Sequence, residues 1–285
     1  MLWNFRFWNK RSKAPAVEPP PEPVSGLLSD VGCQRPRNED AARIVRAGVG
    51  RHGDRGLLVL VADGMGGHEA GEVASQAAVE LIEKEYRRSK GTPGEALAGA
   101  FRVANRRILE LAAANASMGG MGTTCTALAI VGWKAWAAHV GDSRLYLVRG
   151  AGIYQLSEDH TQCMQLVRKG ILSLEEARRR EDRNVLVHAL GTRSELVLMT
   201  WPAPMTVKAG DWFVLCSDGL HELVNREEIR AAVKDGAPQY ACNRLVQMAR
   251  DRGGYDNITI AIAAIPGALD VPASVKVTRE CEAKV

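Results

Sequence analysis

The stretch Val61-Ala62-Asp63-Gly64-Met65-Gly66-Gly67-His68-Glu69-Ala70-Gly71 is the point around which the chain is organised. It ends the apolar run that begins at Leu57, and four of the eight residues after Asp63 are glycine. This pattern predicts a buried strand that carries a carboxylate into a tight loop, because glycine permits backbone approaches that other residues block. An aspartate at such a strand end either faces a cation or caps the helix that follows.

Further carboxylates occupy similar positions along the chain. Asp142, Asp218 and Asp256 each lie beside an apolar strand candidate and a turn-forming residue, and the pair Glu39 and Asp40 precedes another strand candidate. Carboxylates that gather at strand ends repel one another unless cations neutralise them. Oxygen donors without a histidine or cysteine cluster select a hard ion, Mg²⁺ or Mn²⁺. Two such ions can activate a water for attack at phosphorus, so the pattern indicates metal-assisted hydrolysis of a phosphate ester.

Length and composition are those of an ordinary globular protein, with 285 residues, 46% apolar residues and a net charge of +4. The charge is too small for a protein that coats nucleic acid, so we expect no nucleic-acid partner. The six cysteines are scattered without a Cys-x-x-Cys pair, which favours a reducing compartment over disulfides or zinc. No apolar run approaches the roughly 18 residues of a membrane span, and the first residues lack the apolar core of a secretory signal. We therefore expect a cytoplasmic protein.

Changes in composition divide the chain into three regions. Residues 1–25 combine an aromatic and basic tip (1–13) with five prolines, which predict an extended linker. The tip is either a disordered tail or a contact for a membrane surface or a partner protein. Residues 26–266 carry the globular pattern and include a polar, helix-rich insertion at about 161–183, here called the flap. Residues 267–285 form a polar tail.

Hydrophobic periodicity predicts the secondary structure of the globular region. Helices are expected at about 70–89, 94–115, 226–234 and 238–251. Strands are expected at about 41–46, 57–62, 122–131, 134–140, 143–149, 152–156, 196–200, 211–217 and 255–265. Closely spaced strands separated by glycine turns favour antiparallel meanders over βαβ units. The fold class predicted is α+β, with two antiparallel β-sheets and helices packed outside them.

Several short motifs identify a family resemblance when they are taken in order. They are Arg35-Pro36-Arg37-Asn38-Glu39-Asp40, Asp63-Gly64-Met65-Gly66-Gly67-His68, Gly122-Thr123-Thr124, Gly141-Asp142-Ser143-Arg144, Ser157-Glu158-Asp159-His160, Ala189-Leu190-Gly191, Cys216-Ser217-Asp218-Gly219-Leu220 and Asp256-Asn257-Ile258-Thr259. Over about 26–266 the chain resembles the metal-dependent protein phosphatases, and in particular a bacterial protein phosphatase 2C-type enzyme. The resemblance implies a β-sandwich flanked by α-helices on both sides, a four-layer αββα arrangement, with a binuclear Mn²⁺ or Mg²⁺ centre at one end.

The resemblance also implies the ligands of that centre. Asp63 would bridge both ions, and the Gly64 carbonyl would bind one of them. Asp218 and Asp256 would complete the coordination of the other ion. Asp142, together with Asp218, would form a weaker third metal site of the kind seen in bacterial relatives.

Further residues would act around the centre by the same resemblance. Glu39 and Asp40 would orient waters of the metal shell, and Asn257 would support that shell. Arg35 matches the phosphate-binding arginine of the family, and its planar fork suits two phosphate oxygens. Arg37 is an extra neighbour whose simpler interpretation is a surface charge.

Three histidines have alternative interpretations. His68 is the nearest counterpart of the family's proposed general acid, but its displaced spacing from Asp63 leaves a loop histidine as the alternative. His188 stands where relatives usually carry arginine, which is either a tolerated surface change or a change in substrate selection by the flap. His160 follows Asp159 and is expected to tie the base of the flap rather than to act in catalysis.

The leading functional hypothesis is a monomeric phosphatase that hydrolyses phosphoserine and phosphothreonine in proteins, opposing a bacterial Ser/Thr kinase. A catalytically dead scaffold is the alternative from another class, and it would be expected to lack a metal-binding aspartate. Asp63, Asp218 and Asp256 are all present. A small-molecule phosphatase is the third hypothesis, and the resemblance of the flap to that of protein-directed relatives disfavours it.

Overall fold

The computed structural model describes residues 22–46, 49–50, 53–66 and 69–267. Within these residues, two large antiparallel sheets pack face to face, and helices cover the outer face of each sheet. The α+β sandwich with the layer order αββα is therefore confirmed.

Strands and helices have the following bounds in the described part of the chain. The strands are β1 Val24–Asp30, β2 Asp40–Arg46, β3 Val49–Gly50, β4 Gly53–Asp54, β5 Leu57–Met65, β6 Gly122–Thr123, β7 Cys125–Val131, β8 Lys134–Val140, β9 Arg144–Arg149, β10 Gly152–Gln155, β11 Met199–Thr200, β12 Met205–Thr206, β13 Trp212–Cys216 and β14 Ile258–Ala264. The helices are α1 Glu69–Arg88, α2 Pro93–Ala114, α3 Gln162–Arg168, α4 Leu174–Arg179, α5 Asp218–His221, α6 Arg226–Lys234 and α7 Pro238–Asp251. A single 3₁₀ turn, Ala116–Met118, follows α2.

The first sheet has the strand order β11-β8-β7-β5-β2 and is covered by α1 and α2. Side chains of β5 alternate between its two faces: Leu58 and Leu60 pack under the helices, whereas Val59 and Val61 face the other sheet. Because both faces are buried, this strand is a continuous apolar run in the sequence. Its pairing with β2 places Asp40 directly opposite Asp63.

The second sheet has the strand order β1-β14-β13-β9-β10 and is covered by α5, α6 and α7. Val214 and Ile260 belong to the core beneath these helices. Phe213 and Leu215 point the opposite way and join the core between the two sheets. The strand ends of both sheets that carry aspartate therefore meet at the same end of the sandwich.

Capping boxes fix the first turn of three described helices, α2, α4 and α6. In each box the capping side chain accepts a hydrogen bond from a backbone N–H, and a glutamate three residues later accepts one from the capping residue. The pairs are Thr92 with Glu95, Ser173 with Glu176, and Asn225 with Glu228. Helix α4 belongs to the flap and α6 to the rest of the domain, and these two helices line opposite sides of a groove.

Several elements differ from the sequence-based expectations. Strand β1 was not expected; it starts at Val24, two residues before the expected domain boundary, and pairs along the whole of β14. The strand expected over 122–131 is divided into β6 and β7, and β12 and the short helix α5 were also not expected. The tip (1–13) and nearly all of the tail (267–285) lie outside the described residues.

Two further expectations concern composition. The cysteines of the described residues, Cys33, Cys125, Cys163, Cys216 and Cys242, are free thiols, and Cys33 is the exposed one. In this part of the chain no helix combines the length and the apolar character needed to cross a bilayer.

Candidate metal centre

A cleft of about 460 Å³ opens at the end of the sandwich where the aspartate-bearing strand ends meet. It brings together nearly all the site residues expected from the sequence. Those that line it are Arg35, Glu39, Asp63, Gly64, Asp142, Asp218, Asp256 and Asn257. Asp40 lies beneath the cleft, and His68 lies outside the described residues.

Asp63 is held at the cleft by its own backbone. Its N–H donates to Thr124 Oγ1 at 2.9 Å, and its carbonyl accepts from Thr124 N–H at 2.8 Å and from Thr123 Oγ1 at 2.9 Å. With its backbone groups satisfied by neighbouring strands, the carboxylate is the part of Asp63 available to a ligand in the cleft.

Gly64 occupies a space in which no side chain would fit. A Cβ atom there would lie 2.1 Å from the Gly71 carbonyl oxygen and 2.6 Å from the Glu39 carbonyl oxygen. Gly64 N–H donates to that Glu39 oxygen at 3.1 Å. A Cβ at Gly71 would in turn lie 2.0 Å from Glu39 Oε2. The two glycines therefore let strand β5, helix α1 and the Glu39 carboxylate approach closely at the edge of the cleft.

Asp40 is buried on β2, opposite Asp63 on β5, and its carboxylate connects the two sheets. Its Oδ2 accepts a hydrogen bond from Ser217 Oγ at 2.8 Å, and Ser217 Oγ accepts from Thr259 N–H at 3.0 Å. Burial raises the pKa of Asp40 to about 7, although hydrogen bonds from Thr259 and Ser217 oppose that rise. Burial thus disfavours the charged form of Asp40, and its hydrogen bonds favour that form.

Asp218 and Asp256 stand on the second sheet, at the end of β13 and before β14. The Oδ1 atom of Asp218 is buried and has no hydrogen-bond partner in the described structure. Burial and the nearby charge of Asp256 raise the pKa of Asp218 to about 6. Asp256 accepts hydrogen bonds from Asn257 N–H at 2.8 Å and from the Arg35 guanidinium at 2.7 Å. A buried carboxylate oxygen without a hydrogen-bond donor is typical of a residue that binds a cation.

Asn257 ties the loop that carries Arg35 to the start of β14. Its Oδ1 accepts from Glu39 N–H at 2.8 Å. Its Nδ2 donates to the carbonyl oxygens of Val31 and Arg37, each at 2.9 Å. All three of these hydrogen bonds are directed at the loop, so Asn257 supports Glu39 through the backbone.

Asp142 lies in the turn between β8 and β9, and two histidines form hydrogen bonds with the backbone of this turn. His160 N–H donates to the Gly141 carbonyl at 2.7 Å, and Gly141 N–H donates to His160 Nδ1 at 3.3 Å. His221 Nε2 donates to the Asp142 carbonyl at 3.0 Å. Burial raises the pKa of Asp142 well above its ordinary value, and repulsion from Asp218 adds to the rise.

The carboxylates of the cleft destabilise one another's charged forms. Burial raises the pKa of Asp63 well above its ordinary value, with repulsion from Asp40 and Asp218 as the next causes. In the described part of the chain, no three His, Cys, Asp or Glu side chains are close enough to form a ready-made metal cage. Mg²⁺ and similar hard ions keep several waters and need only one or two carboxylates each. The all-oxygen donor set, its mutual repulsion and the unpartnered Asp218 Oδ1 therefore fit such ions.

Other charged residues of the sequence analysis lie further out. Arg37 pairs with Glu69 at 3.1 Å, and both side chains are more than half exposed, which matches a surface charge. His188 packs edge-to-face against His160, with ring centroids 5.4 Å apart, at the base of the flap. Burial lowers the pKa of His188.

Sequence reasoning missed several residues that shape the site. Thr124 was quoted within a motif without a role, yet it holds the Asp63 backbone and contacts Ser143 Oγ at 2.7 Å. Asn184 and Leu186, just after the flap, line the cleft. The position of Thr124 immediately before β7 was a usable signal, because strand-end hydroxyls often bind neighbouring backbone.

Comparison with known proteins decides the family. The family model described as Protein phosphatase 2C matches residues 36–251. The chain belongs to the protein phosphatase 2C family. It is 34% identical over 244 residues to the protein phosphatase PhpP of Streptococcus pneumoniae, covering 84% of this chain and 96% of PhpP.

Solved structures agree with this assignment to the protein phosphatase 2C family. The crystal structure of the Mycobacterium tuberculosis serine/threonine phosphatase PstP matches with a TM-score of 0.76 and 33% identity, covering 86% of this chain and 99% of that one. A structure of the catalytic domain of PstP in complex with two manganese ions matches with a TM-score of 0.72 and 33% identity, covering 86% and 98%. The family resemblance in the sequence is confirmed, and the chain is a serine/threonine protein phosphatase, a phosphoric monoester hydrolase.

Proposed function

We propose that this phosphatase hydrolyses phosphoserine and phosphothreonine esters in proteins with a water activated by a binuclear Mn²⁺ or Mg²⁺ centre. The observation that carries the proposal is the cleft itself. Asp63, Asp218 and Asp256 converge there from both sheets, and the buried Asp218 Oδ1 has no donor in the described structure. The PstP structure with two manganese ions supports the same number of ions here.

The residues that would hold the ions follow from their positions around the cleft. Asp63 would serve both ions, the Gly64 carbonyl would help to hold one of them, and Asp218 with Asp256 would help to hold the other. Asp142 would hold a weaker third ion together with Asp218. When bound, such ions lower the pKa of a water from about 15.7 towards 7 and neutralise charge that develops at the phosphorus.

Arg35 is assigned to bind the phosphoryl group. One of its terminal nitrogens is held by Asp256 at 2.7 Å, and half of the side chain remains exposed at the rim of the cleft. That contact orients the guanidinium plane while leaving further N–H groups for phosphate oxygens. Glu39 and Asp40 would orient waters in the cleft, and Asn257 would keep Glu39 in place through its backbone.

The leaving serine or threonine oxygen needs a proton as its bond to phosphorus breaks. We assign this role to His68, which follows the Asp63 glycine loop in the sequence. Its alternative role as an ordinary loop histidine is tested by His68→Gln. Loss of a general acid would slow a phosphothreonine peptide much more than p-nitrophenyl phosphate, whose leaving group needs little protonation. Equal rates for wild type and variant on the peptide would remove His68 from the mechanism.

The test of the metal-dependent function uses the whole protein and three conditions. Turnover of a phosphothreonine peptide is measured with Mn²⁺, with Mg²⁺ and in excess EDTA, and a phosphotyrosine peptide of the same sequence is the control. We expect turnover only with an ion, a strong preference for phosphothreonine, and calorimetric binding of two ions with a weaker third. Undiminished turnover in EDTA would refute the binuclear mechanism.

We also propose that the enzyme acts as a monomer in the cytoplasm on the targets of a Ser/Thr kinase. The support for the targets is the naming of bacterial relatives as serine/threonine phosphatases. Deleting the gene should raise the phosphothreonine content of a defined set of proteins, and the wild-type gene should restore it. A deletion that changes no phosphoserine or phosphothreonine site would contradict this placement.

A further inference from the structure

A second concave region lies beside the catalytic cleft, between the flap and the body of the domain. Two cavities of about 290 and 320 Å³ adjoin there and share Arg144, Arg178, His221 and Arg226 in their walls. We call this region the flap groove. Arg178 comes from α4 in the flap, and Arg226 is the first residue of α6 in the body.

The flap groove is continuous with the catalytic cleft. Asp142 and Asn184 line both the groove cavity of about 290 Å³ and the cleft. A polypeptide whose phosphorylated residue occupies the cleft would therefore place a neighbouring residue at the groove.

Four arginines and four carboxylates line the groove, but not every arginine is paired with a carboxylate. Arg144 is neutralised by Asp159 through hydrogen bonds of 3.0 and 2.6 Å. Arg183 pairs with Glu222 at 3.2 Å. Arg178 and Arg226, in contrast, have no carboxylate partner among the residues that the structure describes.

Arg226 is nevertheless held in position. Its guanidinium carbon lies 5.9 Å from the centre of the Tyr146 ring, and one terminal nitrogen donates to the neutral Gln155 side chain. Glu227, the acid that lines the cavity of about 320 Å³, pairs with Arg230 at 2.7 Å. Stacking and a neutral acceptor orient the guanidinium without cancelling its charge, so the fork is prepared for an external anion.

We propose that the flap groove binds the carboxylate of an aspartate or glutamate that flanks the phosphorylated residue of the substrate protein. This inference rests on the proposed function, because it needs a phosphoprotein in the cleft. Guanidinium groups match a carboxylate through paired, charge-assisted hydrogen bonds. One unneutralised arginine on each wall lets the flap and the body grip the same side chain.

The first experiment is a position scan with phosphothreonine peptides and Mn²⁺. Glutamate replaces glutamine at each position from five residues before to five residues after the phosphothreonine, and kcat/KM is measured for every peptide. We expect kcat/KM about fivefold to tenfold higher for glutamate at one position or a few adjoining ones, as for a partly exposed charged hydrogen bond. The preference should shrink as salt is raised, because salt screens exposed charges.

Variants then assign the preference to the groove. In the double variant Arg178→Gln and Arg226→Gln, the glutamate-to-glutamine ratio of kcat/KM should fall to near one. The matched control is Arg179→Gln, the next residue of α4, which pairs with Glu175 and does not line the groove. This control should keep the wild-type ratio. Arg178→Glu should shift the preference at the same position from glutamate towards lysine.

The outcomes separate this inference from the proposed function. If the wild type turns over all phosphothreonine peptides equally, the groove assignment is wrong while the phosphatase function stands. A preference that survives in the double variant also overturns the assignment. If only a second phosphoserine, and not glutamate, raises kcat/KM, the carboxylate ligand is wrong. If no phosphopeptide is hydrolysed with Mn²⁺, the proposed function fails first.

Discussion

Asp63 lies among several other carboxylates, and after burial the repulsion from Asp40, Asp218 and Asp142 is what raises its pKa. Asp63→Asn keeps the shape of the side chain and removes its charge. We expect turnover of a phosphothreonine peptide to fall about a hundredfold or more, as when a preorganised charge is removed from a catalytic site. Calorimetry should show weaker Mn²⁺ binding, and circular dichroism should show an unchanged fold.

Stability gives an independent measure of the same variant. Because burial and repulsion raise the pKa of Asp63, its ionisation opposes folding. That cost grows as the pH rises above the ordinary pKa of the unfolded chain and is complete above the folded pKa. Without ions, Asp63→Asn should therefore melt at the same temperature as the wild type or higher at pH 8.

Asp142→Asn should lower the turnover of the phosphothreonine peptide less than Asp63→Asn does. Near wild-type turnover by folded Asp63→Asn would contradict its bridging role.

His139 gives the protein a pH-dependent stability that is separate from the carboxylates. It is buried between Thr126 Oγ1, 2.8 Å from Nδ1, and the Glu158 carbonyl, 3.0 Å from Nε2. Burial lowers the pKa of His139 from 6.5 to about 4. The neutral ring is favoured in the folded state, so its contribution is complete above pH 6.5 and is lost as the pH falls towards 4.

A variant tests this contribution. His139→Asn should be less stable than the wild type at pH 7.5, because buried hydrogen bonds are lost. The difference in the free energy of unfolding should narrow by about 2 kcal/mol between pH 7.5 and 5, since one pKa unit is worth about 1.4 kcal/mol. Denaturant unfolding at both pH values, without added ions, is the measurement. A constant difference would show that His139 does not lose protons on folding.

Individual site residues were predictable where the signal was local. Asp63 and Asp218 each end an apolar run and precede a glycine, so both the strand and its terminal carboxylate were visible in the sequence. The hydrogen bonds that hold the buried side chains next to these carboxylates were not visible in the sequence. Ser217 binds Asp40 across 177 positions of sequence, and a hydrogen bond between two sheets leaves no periodicity in either strand.

At the level of an element, the flap is predicted to select protein substrates. Its helices α3 and α4 lie in the expected insertion, and Ala177 of α4 lines the flap groove. Replacing residues 163–182 with a short linker should impair turnover of a phosphoprotein far more than turnover of p-nitrophenyl phosphate. The reason is that the small substrate needs only the cleft. Equal losses for both substrates would make the flap a structural element without a role in selection.

Long elements were predictable from periodicity, whereas short and edge elements were not. Helices α1, α2, α6 and α7 lie within a residue or two of the expected bounds because each buries an apolar face. Strand β1 was missed because its sequence, Val-Ser-Gly-Leu-Leu-Ser-Asp, mixes small and polar residues and it forms a partly exposed edge. Its pairing with β14 supplies hydrogen bonds that only the tertiary structure reveals.

For the whole molecule, the aromatic and basic tip (1–13) is predicted to dock the enzyme to a membrane surface or a partner protein. A variant that begins at residue 22 keeps all of β1 and the catalytic cleft. It should retain full turnover of a phosphopeptide and lose co-sedimentation with vesicles that contain anionic lipid. Equal sedimentation of both proteins would rule out docking of the tip to a membrane surface.

The hydrogen bond between Ser217 and Asp40 joins two sheets that each provide part of the catalytic cleft. An ion bound by residues of both sheets would hold the sheets in register. The affinity for that ion would therefore report how well the two sheets are aligned. A mildly destabilising substitution in the inter-sheet core, for example at Phe213, would then weaken Mn²⁺ binding at temperatures well below the melting temperature. Conversely, removing the metal ions would leave the enzyme folded but inactive, and adding the ions back would restore its activity.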